Sequence, residues 1–168
     1  MQHEARNIAA IRTLFEAYRE AWREHKMPPL PPGLVIWAPG ASAEVGGHVI
    51  PVEPHDAADE PYFLDIEAQF YWAAIPDWRV TQIDVCGTGD QVISLARFEG
   101  TARDGTVLEP TWLADRWTFD DAGRITHWRQ IADLATWGRW SALNTETDYV
   151  SHISRCFADL GLPPRFVP

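Results

Sequence analysis

Apolar residues recur along this chain with two different periods, and the change of period divides it into helical and extended parts. From Asn7 to about Lys26, the residues Ile8, Ile11, Leu14, Phe15, Tyr18 and Trp22 fall at helical spacing with charges between them, which predicts an amphipathic helix. The Pro-rich run from Met27 to Gly33 ends it, because successive prolines lack the N–H that a helix needs. Leu34 to Ala38 predicts a short buried strand. Pro39 to His55 follows as a loop of about seventeen residues, a length often found in lids and binding loops. A second helix is predicted from about Ala57 to Ala74, with Phe63, Ile66, Phe70 and Ala73 on one stripe and Pro61 near its first turn.

Past Pro76 the period falls to two. Strands are predicted at Arg79 to Cys86, and at about Gln91 to Arg103, Val107 to Phe119 and Arg124 to Asp133. The connections Gly89-Asp90, Asp104-Gly105 and Asp120 to Gly123 carry residues that tolerate the positive φ of a hairpin turn, so the strands form an antiparallel meander. Strands this long bend and twist, and a bent sheet makes a concave face. Alternation puts Ile93, Leu95, Arg97, Glu99 and Thr101 on one face of their strand. On the last strand it groups Ile125, His127, Arg129, Ile131 and Asp133. Leu134 to Leu143 predicts a short helix, and Thr145 to Leu160 a second one, with Thr145 and Asp148 as a capping box and Gly161 and Pro163 as its stop. The predicted architecture is an α+β cone, with helices packed across the concave face of a curved antiparallel sheet.

The 168 residues suffice for one domain, 1–168, with its core at about 7–143 and a C-terminal helical extension at about 145–160. A net charge of −10 argues against a nucleic-acid partner, which needs basic surface. Cys86 and Cys156 have neither zinc-site nor disulfide spacing, which fits a reducing compartment. Neither a signal-peptide run nor an apolar stretch of membrane-spanning length is present, so a cytoplasmic protein with no membrane partner is expected. Nine Trp residues favour large aromatic contacts in a core, a pocket or a subunit interface. The run containing His48, Glu53, His55, Asp56, Asp59 and Glu60 lacks a diagnostic ligand spacing and reads more simply as a solvated loop; neither metal nor cofactor is expected.

An Arg and a Glu two positions apart on an apolar strand face must pair with each other or with a third polar group, and Asp133 is the nearest candidate. Two readings stand side by side. Arg97, Glu99 and Asp133 form an acid/base set, or Arg97 and Glu99 form an ion pair at the sheet rim while Asp133 caps the helix beginning at Leu134. Tyr18, Trp37, Trp112 and His127 are the candidates for contact with a substrate. For the tryptophans a place in the core is the alternative, and for His127 a packed or exposed strand position.

The segment Ile75-Pro76-Asp77-Trp78-Arg79-Val80, the Gly89-Asp90 turn, Gly100-Thr101, and Leu113 to Phe119 followed by Gly123-Arg124-Ile125 resemble the SnoaL-like branch of the NTF2-like superfamily. The likeness covers roughly Asn7 to Leu143. Ile125 to Arg129 leading to Asp133-Leu134 is similar to the closing strand of limonene-epoxide hydrolases, and Arg97-Phe98-Glu99 resembles their Arg-x-Asp. The resemblance implies a cofactor-free homodimeric enzyme that opens or hydrolyses epoxides of an apolar small molecule, with Arg97 as bridging cation, Glu99 as acid and Asp133 as base. Two departures stand against this: Glu replaces Asp at position 99, and the early strand Leu34 to Ala38 lacks the Tyr and Asn that hold the water in that family. The resemblance equally implies a polyketide cyclase or a ketosteroid-isomerase-like isomerase or dehydratase, in which one buried carboxylate removes a C–H proton and Tyr18 holds the enolate oxygen. A non-catalytic ligand-binding or dimerisation domain is the third class, since one fold hosts many functions.

Overall fold

The computed structural model describes residues 2–26, 28, 34, 37–45, 48–51 and 63–159. Along the chain come helix α1 (Gln2–Trp22), strands β1 (Trp37–Val45) and β2 (His48–Pro51), and helix α2 (Phe63–Trp72). Strands β3 (Arg79–Thr88), β4 (Gln91–Glu99), β5 (Thr111–Phe119) and β6 (Ile125–Ala132) follow, and then helices α3 (Leu134–Ser141) and α4 (Tyr149–Asp159). All the strands join one sheet in the order β2-β1-β6-β5-β4-β3. The meander β3 to β6 is antiparallel, as the turns predict, and Gly89, Gly105 and Gly123 adopt φ of 61°, 88° and 85° in them. β1 pairs with β6 in parallel, so the sheet is mixed rather than antiparallel; the long intervening chain allows that sense of pairing.

The first strand lies later than predicted, and part of the expected loop at 39–55 is a β1/β2 hairpin pairing Ser42 to Val45 with Pro51 to His48. Pro39-Gly40 hid it. Gly40 sits at φ 73° inside a register shift between Trp37 and Ser42, and such a bulge breaks the alternation by which a strand is recognised. Most of the Pro-rich run, positions 52–62 with Glu53, His55, Asp56, Asp59, Glu60 and Tyr62, and the predicted stop of the last helix lie outside the described residues.

The register aligns inward side chains in rows across the sheet. Val92, Trp117, Trp128 and Ala43 form one row, Ser94, Asp115 and Gln130 the next, and Ala96, Leu113 and Ala132 a third. This corrects the predicted phase of β4. Val92, Ser94, Ala96 and Phe98 point into the cone, while Ile93, Leu95, Arg97 and Glu99 stand on the outer face. Both phases of β4 are largely apolar, so alternation alone does not choose between them. The β6 phase changes as well: a register shift opposite Thr118 and Phe119 follows buried Ile125, after which Trp128 is buried and Arg129 and Ile131 are exposed.

Helix α1 packs on β3 and β4, and its N-terminal turns are tied to two hairpin ends: Gly89 N donates to Glu4 (3.2 Å) and Arg6 donates to the Ala122 carbonyl (3.2 Å). The core is aromatic. Trp78 stacks on Phe98 at 4.9 Å and on Tyr71 at 5.1 Å, and Trp117 stacks on Trp128 at 5.3 Å. Each such side chain removed from water contributes on the order of 1.5–3 kcal/mol. Asp148, rather than Thr145, caps α4, accepting from Ser151 N at 2.9 Å and Ser151 Oγ at 2.6 Å.

Candidate active site

The trio predicted from the sequence does not assemble. Arg97 bonds Glu99 on the outer face, Glu99 also faces Arg79 at 3.6 Å, and all three side chains are partly exposed. Asp133 caps α3: its Oδ1 accepts from Ala135 N (3.0 Å) and Thr136 N (3.4 Å), and its Oδ2 accepts from Thr136 Oγ1 (2.7 Å). Those bonds from Thr136 hold the Asp133 carboxyl below the usual carboxylate range, in the ionised form a cap needs. The rim ion pair and the helix cap are therefore the arrangement found. The hydrolase set of Arg97, Glu99 and Asp133 is set aside on geometry.

The proposed substrate contacts are likewise dispersed. Tyr18 is buried in the core against Trp22, with ring centroids 4.8 Å apart. Trp37 packs partly buried at the edge of the core. Trp112 is exposed on the outer face. His127 is partly buried there, its Nδ1 lying 2.8 Å from Ser42 Oγ on the neighbouring strand. None of these lines the cavity described next.

A cavity of about 420 Å³ opens where β1 ends beside β6, between the sheet and helices α2, α3 and α4. Glu67, Tyr71, Trp137, Ser141 and Tyr149 wall it, with Gln130 at its sheet side. Glu67 is only 6% exposed and accepts from Tyr149 Oη at 3.0 Å; Tyr71 Oη lies 3.2 Å from Ser141 Oγ. Behind this wall is Asp115, wholly buried. Its Oδ1 accepts from Trp128 Nε1 at 2.8 Å and its Oδ2 from Ser94 Oγ at 3.3 Å, while Ser94 Oγ itself accepts from Trp117 Nε1 at 2.9 Å.

Burial dominates the electrostatics. Loss of water raises Glu67 to about 7; Tyr149 opposes that rise, the nearby Asp115 charge adds to it, and Gln130 opposes it more weakly. Burial likewise raises Asp115 to about 7, against the bonds from Trp128 and Ser94. Burial first, and the Glu67 charge second, push the Tyr71 and Tyr149 hydroxyls upward, so both stay protonated donors at neutral pH. A buried carboxyl of raised proton affinity beside neutral phenols, on the wall of a largely apolar cavity, makes this a candidate acid/base site.

Sequence reasoning missed both carboxyls, although each left a signal. Asp115 shares the inner phase of β5 with Leu113, Trp117 and Phe119, so alternation makes it a buried acid. Glu67 falls between Ile66 and Ala68, on the same helix face as Tyr71. Among the described residues no group of three or more His, Cys, Asp or Glu is placed to hold a metal, and no helix is long and apolar enough to cross a membrane.

No family model matches the chain, and no curated protein does. Solved structures do. A protein named for its likeness to SnoaL-type polyketide cyclases, from Jannaschia sp., is 17% identical; the match covers 84% of this chain and 94% of that one, with a TM-score of 0.50. An NTF2-like protein of unknown function from Burkholderia pseudomallei is 19% identical, with 83% and 98% covered and a TM-score of 0.53. The chain has the NTF2-like α+β cone fold.

Two outcomes follow for the site. Asp133→Ala removes a helix cap, so the melting temperature falls by on the order of 2–4 °C while ligand binding in the cavity is unchanged. Scanning calorimetry with a binding titration checks both; loss of binding would restore Asp133 to the site. The second outcome concerns pH. Glu67 and Asp115 bind protons more tightly folded than unfolded, so their contribution is fully present below about pH 4 and is lost as pH rises through about 7. Thermal unfolding between pH 5.5 and 8 should show stability falling with rising pH, by on the order of a few kcal/mol. Glu67→Gln should flatten that slope, and an unchanged slope in the variant would contradict the assignment.

Proposed function

We propose that this protein is an enzyme that moves a proton at an activated carbon of an apolar small molecule, as in isomerisation or aldol-type cyclisation of a carbonyl compound. The observation that carries the reading is Glu67, a buried carboxyl held by Tyr149 on the wall of a cavity large enough for a small molecule. A carboxyl near pH 7 in its proton affinity is matched to removing a weakly acidic C–H proton and returning it within one turnover.

Tyr149 bonds Oε1 and so orients the carboxyl, leaving Oε2 as the oxygen that takes the proton. As the C–H bond breaks, negative charge moves onto the substrate carbonyl oxygen. Tyr71 and Ser141, paired at 3.2 Å on the same wall, are the donors that would receive it. Because the Tyr71 hydroxyl is raised, it stays neutral and gives a hydrogen bond without losing its proton. Trp137 and Val45 supply apolar surface for the body of the substrate. This reading replaces the epoxide hydrolysis expected from Arg97, Glu99 and Asp133, which lie apart on the outer face and at a helix end.

Hydrogen–deuterium exchange of 2-tetralone and related cyclic ketones, followed by NMR, tests the reading. Exchange above the buffer rate is expected to rise with pH through about 7, as Glu67 ionises. Glu67→Gln should lower it at least about 100-fold, and Tyr71→Phe by on the order of 100-fold. Exchange that persists undiminished in Glu67→Gln would overturn the assignment.

The same reading includes a second copy of the chain against the outer face of the sheet. Ile93, Trp112 and Ile131 are 37%, 38% and 52% exposed on neighbouring strands of that face, which supports it. Sedimentation should give a dimer, and Ile131→Glu a monomer; a wild-type monomer at micromolar concentration would remove this part of the proposal.

A further inference from the structure

We propose that Gly138 is a specificity-determining residue: lacking a side chain, it keeps open a passage along helix α3 that admits a flat ketone of two or three fused rings. The inference rests on the proton-transfer reading of the same cavity, and it adds the class of substrate.

The passage follows from the helical period. On α3 the residues Leu134, Trp137, Gly138 and Ser141 fall within one arc of about 100°, and these four line the cavity. From Leu134 to Ser141 the helix advances about 10 Å, at about 1.5 Å per residue. At one end of that run Ser141 meets Tyr71, and these are the donors placed for the substrate oxygen. At the other end Leu134 is 67% exposed, an apolar side chain with little of this chain against it. Val45 and Ala132, short side chains in the inward phase of their strands, line the sheet side of the same cavity.

Neither the backbone nor the packing of the chain asks for glycine at 138. The residue lies inside a helix and outside the left-handed region, so no turn requires it. A Cβ at this position would meet none of the surrounding chain within 4 Å, so no close approach requires it either. Glycine in a helix interior is destabilising relative to alanine, because it loses more backbone freedom on folding. The open space beside it belongs to the cavity that Gly138 lines. A long side chain there would project between Leu134 and Ser141 and divide the apolar end of the passage from the end that holds the oxygen. A single ring fits at the Ser141 end alone. A fused-ring ketone, with its oxygen at Tyr71 and Ser141, extends past Gly138 to Leu134, and a cavity of about 420 Å³ has room for it.

Calorimetric titration with 2-naphthol and with phenol at neutral pH tests this without turnover. Both carry one hydroxyl on a flat ring, and 2-naphthol has the shape of the enol of 2-tetralone. Wild type should bind 2-naphthol at least about tenfold more tightly than phenol, because its second ring is buried along α3. Gly138→Leu should remove that preference by weakening 2-naphthol and leaving phenol little changed. Gly138→Ala should raise the melting temperature by on the order of 1–4 °C while weakening 2-naphthol. Equal affinity for the two ligands in wild type, binding of neither, or a preference that survives Gly138→Leu overturns the proposal. A lower melting temperature in Gly138→Ala does so too, since the fold itself would then need the glycine. If the preference is lost in Gly138→Leu but wild type exchanges no 2-tetralone, the proton-transfer reading fails and the passage stands; exchange with an unaltered preference gives the reverse.

Discussion

The hydrogen bond from the Trp128 indole to Asp115, 2.8 Å long and wholly buried, fixes much of this molecule. A carboxyl in the interior of a sheet is tolerated only where donors are already in place, since burying an unpaired one costs several kcal/mol. The donors come from two strands flanking its own, Trp128 from β6 and Ser94 from β4. The register of three strands and the position of one acid are thus mutually dependent: a slip of one residue would turn Asp115 outward and bring Ala114 and Arg116 into the cone. The stacked Trp117 and Trp128 add a packing reason for the same register, because they are directly opposite each other in the adjoining row.

The aromatic load has a second consequence. Rings fill the space between α1, α2 and the sheet, with Trp22, Trp78, Phe98 and Tyr71 in contact, so the cone is solid there, and the cavity beside Glu67 opens toward α3 and α4. Tyr18, which sequence reasoning put at the substrate, lies in the solid part. Tyr71 belongs to both, stacking on Trp78 with its ring and reaching the cavity with its hydroxyl. The packed ring fixes where that hydroxyl sits on the cavity wall.

Most elements were legible in the sequence because they depend on hydrophobic period and turn chemistry. The helix carrying Ile11, Leu14, Phe15, Tyr18 and Trp22 and the turns at Gly89, Gly105 and Gly123 are examples. The site was not legible, for a specific reason. On β4 both faces are apolar, Ile93 and Leu95 outside and Val92, Ala96 and Phe98 inside, so the charged pair Arg97 and Glu99 drew attention to the wrong face. Asp133 precedes a helix, and an Asp in that place is a cap first. On β5 the phase was readable, because Leu113, Trp117 and Phe119 leave little doubt which side is inside. The same pattern makes Asp115 an intruder in a core and hence a candidate for chemistry.

The C-terminal helices belong to the site. Tyr149 at the start of α4 supplies the donor that orients Glu67, and His152 one turn later bonds the Ile66 carbonyl, so α4 is fastened to α2 on both sides of the acid. Asn144, in the connection before α4, donates to the Phe70 carbonyl at 3.0 Å, while Ser141 at the end of α3 meets Tyr71. Each of these contacts joins the extension to the one helix that carries Glu67. Without α4, Glu67 would lose its donor and much of its cover; water would then solvate the carboxylate and draw its proton affinity back toward that of an ordinary glutamate. The meander holds Asp115 and the extension holds Glu67. The cavity lies where the two meet, so the burial of the acid on its wall depends on both.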